Sequence, residues 1–455
     1  MKRYFTNFLL EWKERQNRKP LIIRGARQVG KTWITDEFGN ENFDNYLKIN
    51  LEENEEARKI FKSNNPEQII ESLSLLLGKS ITAGNSLLFI DEIQTSPKAI
   101  AGLRYFYEKM PNLHVIAAGS LLDHALNEMK YSMPVGRVEF AYMYPLNFRE
   151  FLWALGENQL ADFLDNFKIN DYIADAVHLK LVGLLRKYFF IGGMPEAVKT
   201  YSDTGDLLEV ERVRENILKS LEYDFAKYGS KTEQQHLATV FKQIPKTVGR
   251  KLKYVNISRA IRPEAQRTAL HKLEMSRIIK LVRHSNSASS PLEYGAKEIF
   301  KPQFIDIGLL NHQLKVRLIE NEKIMTAHEG ALAEQFTGQE LLTIKPYFME
   351  KELFYWLRES KNSNAELDFL YEHNNQIIPI EVKSGKAGTL KSLYVFAFER
   401  NKKYGIRFNI NPPSIEDIET KIRIKAKNEI VKFKLLSLPL YLSYRTDEIL
   451  NDAKL

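Results

Sequence analysis

Gly25-Ala26-Arg27-Gln28-Val29-Gly30-Lys31-Thr32 comes directly after the apolar run Pro20-Leu21-Ile22-Ile23-Arg24, and it is the stretch from which the rest of the 455-residue chain is read. It satisfies G-x-x-x-x-G-K-[ST], and each fixed position has a task. Gly25 and Gly30 let the main chain wrap closely, so that successive N–H groups, including those of Ala26, Arg27, Gln28 and Val29, point at phosphate oxygens. Lys31 brings positive charge to the β- and γ-phosphates, and Thr32 offers its hydroxyl to Mg²⁺. A helix expected to start near Lys31 adds the positive end of its dipole to the same anion site. The motif points to ATP or another nucleoside triphosphate.

Two further apolar runs extend this reading. Ser86-Leu87-Leu88-Phe89-Ile90-Asp91 is a buried type of strand that ends in two carboxylates. Downstream of a phosphate loop, Asp91 is the residue expected to hold Mg²⁺ through water, and Glu92 the one to polarise the attacking water as general base. His114-Val115-Ile116-Ala117-Ala118-Gly119 is a third strand and ends at Ser120. Ser120 is read either as a γ-phosphate sensor or as the N-cap of a helix over Leu121–Met129, two roles that are compatible. Helical patterns over Pro66–Leu77 and Ala99–Lys109 separate the strands. Apolar runs that need both faces covered, alternating with helices, imply a parallel three-layer α/β sheet. Arg137, after Gly136, is either an arginine that senses γ-phosphate, in cis or from a neighbouring subunit, or a surface ion-pair residue.

Composition sets the outer limits. An apolar fraction of 44% and a charged fraction of 27% are those of a folded chain and exclude a disordered one. With no cysteine, disulfides, thiolate metal sites and cysteine nucleophiles are excluded. The N-terminal residues lack the apolar core of a signal peptide, and no run is long enough for a bilayer, so a cytoplasmic protein with no membrane association is expected. A net charge of +8 fits either a solvated lysine-rich surface or a nucleic-acid footprint.

Four regions are expected along the chain. Residues 1–150 form the nucleotide-binding core. Residues 151–230 read as a helical lid, with Asp206–Tyr228 as a long amphipathic example and Ile191-Gly192-Gly193-Met194-Pro195 as a tight, closely packed break. Over residues 231–320, three helices and then an apolar strand at Ile278–Val282 suit either a winged-helix-like domain or a plain helical connector. Residues 321–455 open with a helix over Ala327–Thr343 and then become strand-rich.

That last region holds a second constellation. Asp368 comes after Ala365-Glu366-Leu367, and thirteen residues on stands Ile380-Glu381-Val382-Lys383. The two-residue repeat of a strand puts Glu381 and Lys383 on one face. An acidic residue before Glu-x-Lys resembles the metal-dependent nuclease core written PD-(D/E)xK. Asp368 and Glu381 are then candidate ligands of one Mg²⁺, and Lys383 a candidate to orient water and stabilise phosphorane-like charge. The resemblance implies Glu334, on the helix Ala327–Thr343, as a further acidic candidate. The other reading is a purely structural nuclease-like fold. Lys383, Lys386, Lys391, Arg400, Lys402 and Lys403 add positive charge nearby, and Lys421–Lys427 reads as a strand with one wholly basic face. Such lysines either protect a sheet edge or contact nucleic-acid phosphates, with DNA the most economical partner.

The blocks RGARQVGKT, LLFIDEIQ, AAGS, GRVEF, YPLNFREF and IGGMPEAV, in this order, resemble the bacterial and archaeal AAA-type ATPases that carry a conserved C-terminal region of unassigned function. The similarity runs over nearly the whole chain. It implies nucleotide and Mg²⁺ roles for Lys31, Thr32, Asp91 and Glu92, and it includes Arg27 and Gln28 without giving them a task. The expected fold is α/β: a P-loop NTPase parallel sheet, a helical lid, a winged-helix-like connector and a C-terminal restriction-endonuclease-like α/β domain. Three functions are expected. The first is a DNA-associated ATPase coupled to the C-terminal domain. The second is an ATP-dependent switch whose C-terminal domain is an inert scaffold, with a homo-oligomer or protein partner. The third is a small-molecule kinase, disfavoured by Asp91-Glu92 and by the large C-terminal remainder.

Overall fold

The computed structural model describes residues 1–120, 122, 133–227, 229–295, 299–315, 329–358, 365–385, 389–424 and 427–454. These divide into two compact units, one of residues 1–145, 275–278 and 345–350, the other of residues 146–274, 279–344 and 351–455. No helix among the described residues is long and apolar enough to cross a membrane.

The first unit is built on five strands, β1 (Leu21–Arg24), β2 (Asn45–Asn50), β3 (Ser86–Asp91), β4 (His114–Gly119) and β5 (Glu139–Tyr142), in the order β2-β3-β4-β1-β5. Every pairing is parallel. β3 and β4 are buried at every position, because helices such as Pro66–Leu77 and Pro97–Lys109 cover the sheet. One of the cores joins Ile22, Leu88, Ile90, Val115 and Ala117 of the sheet to Leu73, Leu103 and Phe106 of these two helices. Three central strands, β1, β3 and β4, therefore end along one edge, and their C-terminal ends carry the phosphate-loop motif, Asp91-Glu92 and Ser120. The helix expected over Leu121–Met129 lies outside the described residues except for Leu122.

The second unit carries an eight-stranded mixed sheet in the order β12-β13-β11-β10-β9-β8-β6-β7. Its strands are β6 (Ile279–His284), β7 (Phe300–Phe304), β8 (Phe354–Leu357), β9 (Glu366–His373), β10 (Gln376–Val382), β11 (Tyr404–Asn409), β12 (Ser414–Ile424) and β13 (Lys427–Pro439). β6 pairs with β7 antiparallel and with β8 in parallel. The strand expected to end a winged-helix module thus belongs to the same sheet as the C-terminal strands. Trp356, Leu367, Leu370, Phe396, Phe433 and Leu435 form part of a core on this sheet.

Two of the motif blocks lock together here. Gly192 and Gly193 break the chain between the helices Asp175–Ile191 and Pro195–Thr204. Gly192 has φ +83°, and the Gly193 N–H donates to Asp306 Oδ2 at 2.6 Å while its carbonyl accepts from Leu146 N at 2.7 Å. A Cβ on Gly193 would stand 2.0 Å from the Leu146 carbonyl oxygen. One residue on, Asn147 and Glu150 form a reciprocal capping box at the start of the helix Phe148–Ala154. The tight, closely packed break read from the sequence is found, with a buried aspartate as its anchor.

Candidate functional site

The phosphate-loop motif is closed on itself. β1 feeds the loop, and the helix Lys31–Asn42 starts at the motif lysine, with Gly30 as a left-handed N-cap at φ 96°. Gln28 also has a positive φ, 64°, a conformation that Asn, Asp or Gly would take more readily. At Gly25 a Cβ would meet the Met143 carbonyl oxygen at 2.4 Å, so only glycine lets the chain pass. Ala26 and Val29 are buried, while Arg27 is partly buried and Gln28 exposed. Lys31 Nζ donates to the carbonyl oxygens of Gly25 at 2.9 Å and Ala26 at 2.7 Å. Thr32 Oγ1 donates to Asp91 Oδ2 at 2.8 Å, so the two residues expected at Mg²⁺ are brought together across the sheet.

Glu92 stands just past β3 in the left-handed region, with φ 52°. That costs a non-glycine residue of order 1–3 kcal/mol and is a feature of functional turns. Its Oε2 accepts from Gln94 Nε2, and Gln94 in turn crowds Gly119, where a Cβ would lie 2.1 Å from Gln94 Oε1. Gln94, the last residue of the block LLFIDEIQ and given no role from the sequence, thus links the tip of β3 to that of β4. Ser120 is buried at that tip. Arg137 is not brought to the loop by any contact described: its Nε is 3.0 Å from Glu108 Oε1 on the helix Pro97–Lys109, the surface ion-pair arrangement.

Burial pushes the Lys31 ammonium down to about 8, against the pull of Glu92 and Asp91. The unfolded chain, with an ordinary lysine near 10.5, binds more protons between those two values. Stability from this group therefore rises with pH across that window. A bound triphosphate favours the charged ammonium and reverses the shift. Nucleotide binding near pH 8 is expected to take up about half a proton per site and to weaken as pH rises further. Calorimetric titrations in buffers of different ionisation enthalpy measure this uptake, and a value of zero would show that Lys31 is already charged.

The second constellation lies on the β9–β10 hairpin. Its turn residues Asn374 and Asn375 both have positive φ, 46° and 60°, the signature of a two-residue type I′ turn. The turn fixes a register in which Phe369 faces Ile380, so the next step sets Asp368 opposite Glu381. Asp368 Oδ2 accepts from Val382 N at 2.7 Å, and Lys383 Nζ donates to Glu381 Oε1 at 2.5 Å. The three sequence-derived residues converge. Glu381 Oε2 is buried without a hydrogen-bond partner. Burial first, and the Asp368 charge second, raise the Glu381 carboxyl above the ordinary range. Such an oxygen has the chemistry of a cation ligand.

Glu334, on the helix Glu329–Leu342, reaches the same centre through a residue that sequence reading missed. Lys301, on β7, is 1% exposed and pairs with Glu334 at 2.9 Å and with Glu366 at 2.7 Å. Burial lowers the tendency of Lys301 to hold its proton, but Glu334, Asp368 and Glu366 together raise it well above the usual lysine value. The only signal in the sequence was a lysine inside Phe300-Lys301-Pro302-Gln303-Phe304, a strand buried at every position. A cavity of about 370 Å³ opens here, lined among others by Lys246, Arg250, Glu334, Asp368 and Lys383. Among the described residues, no group of three or more His, Cys, Asp or Glu is arranged to hold a metal ion.

The stretch expected as one basic strand, Lys421–Lys427, is divided in the structure: β12 ends at Ile424 and β13 starts at Lys427, paired antiparallel. Lys421 and Arg423 are exposed on the edge strand β12, whose other exposed positions are Ile415, Asp417 and Glu419. Asp417 pairs with Lys434 at 3.1 Å and Glu419 with Lys432 at 2.7 Å, each directly across the strand pair. The expectation rested only on the C-terminal end of the strand, and Lys386 and Lys425 lie outside the described residues.

Comparison with known proteins agrees with the first centre. A family model described as an AAA domain matches residues 17–152, so that stretch is a P-loop domain of the AAA type. Two models described as domains of unknown function, DUF8612 and DUF4143, match residues 182–319 and 329–438. Among solved structures, the chain is similar to a Walker-type ATPase of Pyrococcus abyssi at 17% identity and a TM-score of 0.44, over 69% of this chain and 95% of that one. It is also similar to the Aeropyrum pernix ORC2 protein in its ADPNP–ADP complexes, at 11% identity and a TM-score of 0.32, over 68% of this chain and 90% of that one. No curated protein matches the chain.

Proposed function

We propose that this chain is an ATP-hydrolysing enzyme of the AAA type that associates with DNA and couples nucleotide turnover to its C-terminal, nuclease-like centre. The observation that carries the ATPase reading is the 2.8 Å bond from Thr32 to Asp91, beneath a loop whose lysine is already folded inward. Thr32 and Asp91 are the residues to hold Mg²⁺, which would offset charge on the β- and γ-phosphates. Lys31 binds the same phosphates through its ammonium. Glu92, once released from Gln94, takes a proton from water as the water oxygen bonds to the γ-phosphorus, and the bond to the bridging oxygen breaks to leave ADP. Ser120, at the tip of β4, is the candidate to touch the γ-phosphate. Arg137 would have to leave Glu108 to do so.

The C-terminal part of the reading is supported by the convergence of Asp368, Glu381 and Lys383, by the unpartnered Glu381 oxygen, and by Lys246 and Arg250 beside the acidic centre. Asp368 and Glu381 are the candidate Mg²⁺ ligands, and the metal would supply charge for a phosphodiester oxygen. Lys383 would orient water. The competing reading, a switch with an inert scaffold, is favoured by Lys301, whose ammonium already neutralises part of the acidic centre.

Turnover of ATP by the purified chain, with and without double-stranded DNA and beside Lys31→Ala, separates the two. DNA-stimulated turnover that Lys31→Ala abolishes is expected. Turnover indifferent to DNA, with no retention of DNA at low salt, would support the switch instead.

A further inference from the structure

The acidic side chains of the C-terminal centre are not equivalent. Glu334, Glu366 and Asp368 gather around the Lys301 ammonium, at 2.9, 2.7 and 3.7 Å. The other Glu366 oxygen pairs with Lys251 at 2.9 Å. On the far side, Glu381 spends one oxygen on Lys383 and keeps the other buried and unpartnered, opposite Asp368. A dry ammonium is tolerated only where several charges surround it, and this one has them. It supplies a fixed positive charge but carries no exchangeable water.

We propose that the C-terminal centre takes a single divalent cation, held by Asp368 and the unpartnered oxygen of Glu381, while the Lys301 ammonium permanently fills the neighbouring position between Glu334 and Asp368. The inference deepens the metal-dependent reading of this centre and rests on it. Two carboxylates are enough for Mg²⁺ or Mn²⁺, because such ions keep several waters and complete their octahedron with substrate phosphates. Chemistry that needs two metals about 3.5–4 Å apart is excluded while the lysine is in place. Lys301 is therefore a positioning residue that sets cation number.

The test is a titration of the full nucleotide-free chain with Mn²⁺ alone, counted by its paramagnetic resonance signal. The wild type is expected to bind one Mn²⁺ that Asp368→Asn removes. Lys301→Met, checked for folding by circular dichroism, is expected to bind one more, with spin coupling between the two ions. Two Asp368-dependent ions in the wild type would overturn the inference and leave the metal-dependent reading standing. No Asp368-dependent ion would overturn both. A folded Lys301→Met with an unchanged count would overturn the lysine's part alone, and the wild-type count decides even where that variant does not fold.

Discussion

Glu92→Gln is expected to lower ATP turnover by about a hundredfold to ten-thousandfold, the range of a lost general base, while nucleotide stays bound. The substitution keeps the shape of the side chain and removes only its capacity to take a proton. Glu92 is fixed on a left-handed turn directly after a fully buried strand, so a neighbouring acid cannot shift into its place without refolding the tip of β3. Single-turnover hydrolysis, read beside equilibrium binding of a fluorescent ATP analogue, separates the two effects. Lys31→Ala should fail differently, by losing affinity: its ammonium is the donor to the Gly25 and Ala26 carbonyls as well as the charge for the phosphates. Normal turnover by Glu92→Gln would move the general base elsewhere and leave its strained backbone unexplained.

Gly193→Ala is expected to be the most damaging single methyl group in the second unit, at about 3 kcal/mol or more of lost stability. The added carbon would sit 2.0 Å from a backbone oxygen and 2.7 Å from the Tyr188 hydroxyl, and neither atom belongs to a flexible side-chain end that could swing away. The same position carries the hydrogen bonds to Asp306 and Leu146, so a shift that relieved the clash would cost a buried carboxylate one of its hydrogen bonds. Gly183→Ala makes the contrast. That glycine lies exposed within the helix Asp175–Ile191 with nothing within 4 Å, and alanine there should add up to about 1 kcal/mol. Urea melts of the two variants measure both signs, and a Gly193→Ala curve that overlays the wild type would refute the steric account.

The nucleotide site was legible because its strands are extreme cases. Ser86–Asp91 and His114–Gly119 are covered on both faces, so their apolar runs are unbroken and their ends unambiguous. β2 and β5 were missed because they are the two edges of that sheet and are only partly covered: Asn45–Asn50 is diluted with polar residues, and Glu139–Tyr142 is only four residues long. The helix Glu329–Leu342 hides its role in another way. Several of its polar side chains are buried, and Gln335 offers both amide groups to the main chain of Phe304, at 2.8 Å each, in the manner of a neighbouring strand. No apolar stripe could announce such a face. Asp368, Glu381 and Lys383 were found because strand periodicity and an Asn-Asn turn fix their register. Lys301 was not, because a lone lysine in an apolar run reads as a break in the pattern until its three carboxylate neighbours are known.

Lys301 sits in the stretch matched by one model of unknown function, and Glu334, Glu366 and Asp368 sit in the stretch matched by the other. The boundary between the two models therefore cuts through a single ion-pair cluster as well as through a continuous sheet. Neither stretch is a portable part. A fragment beginning after residue 320 would carry three acids stripped of their internal counter-ion and a β8 stripped of its parallel neighbour. If the two stretches recombine or are inherited, the physical unit of exchange is the pair.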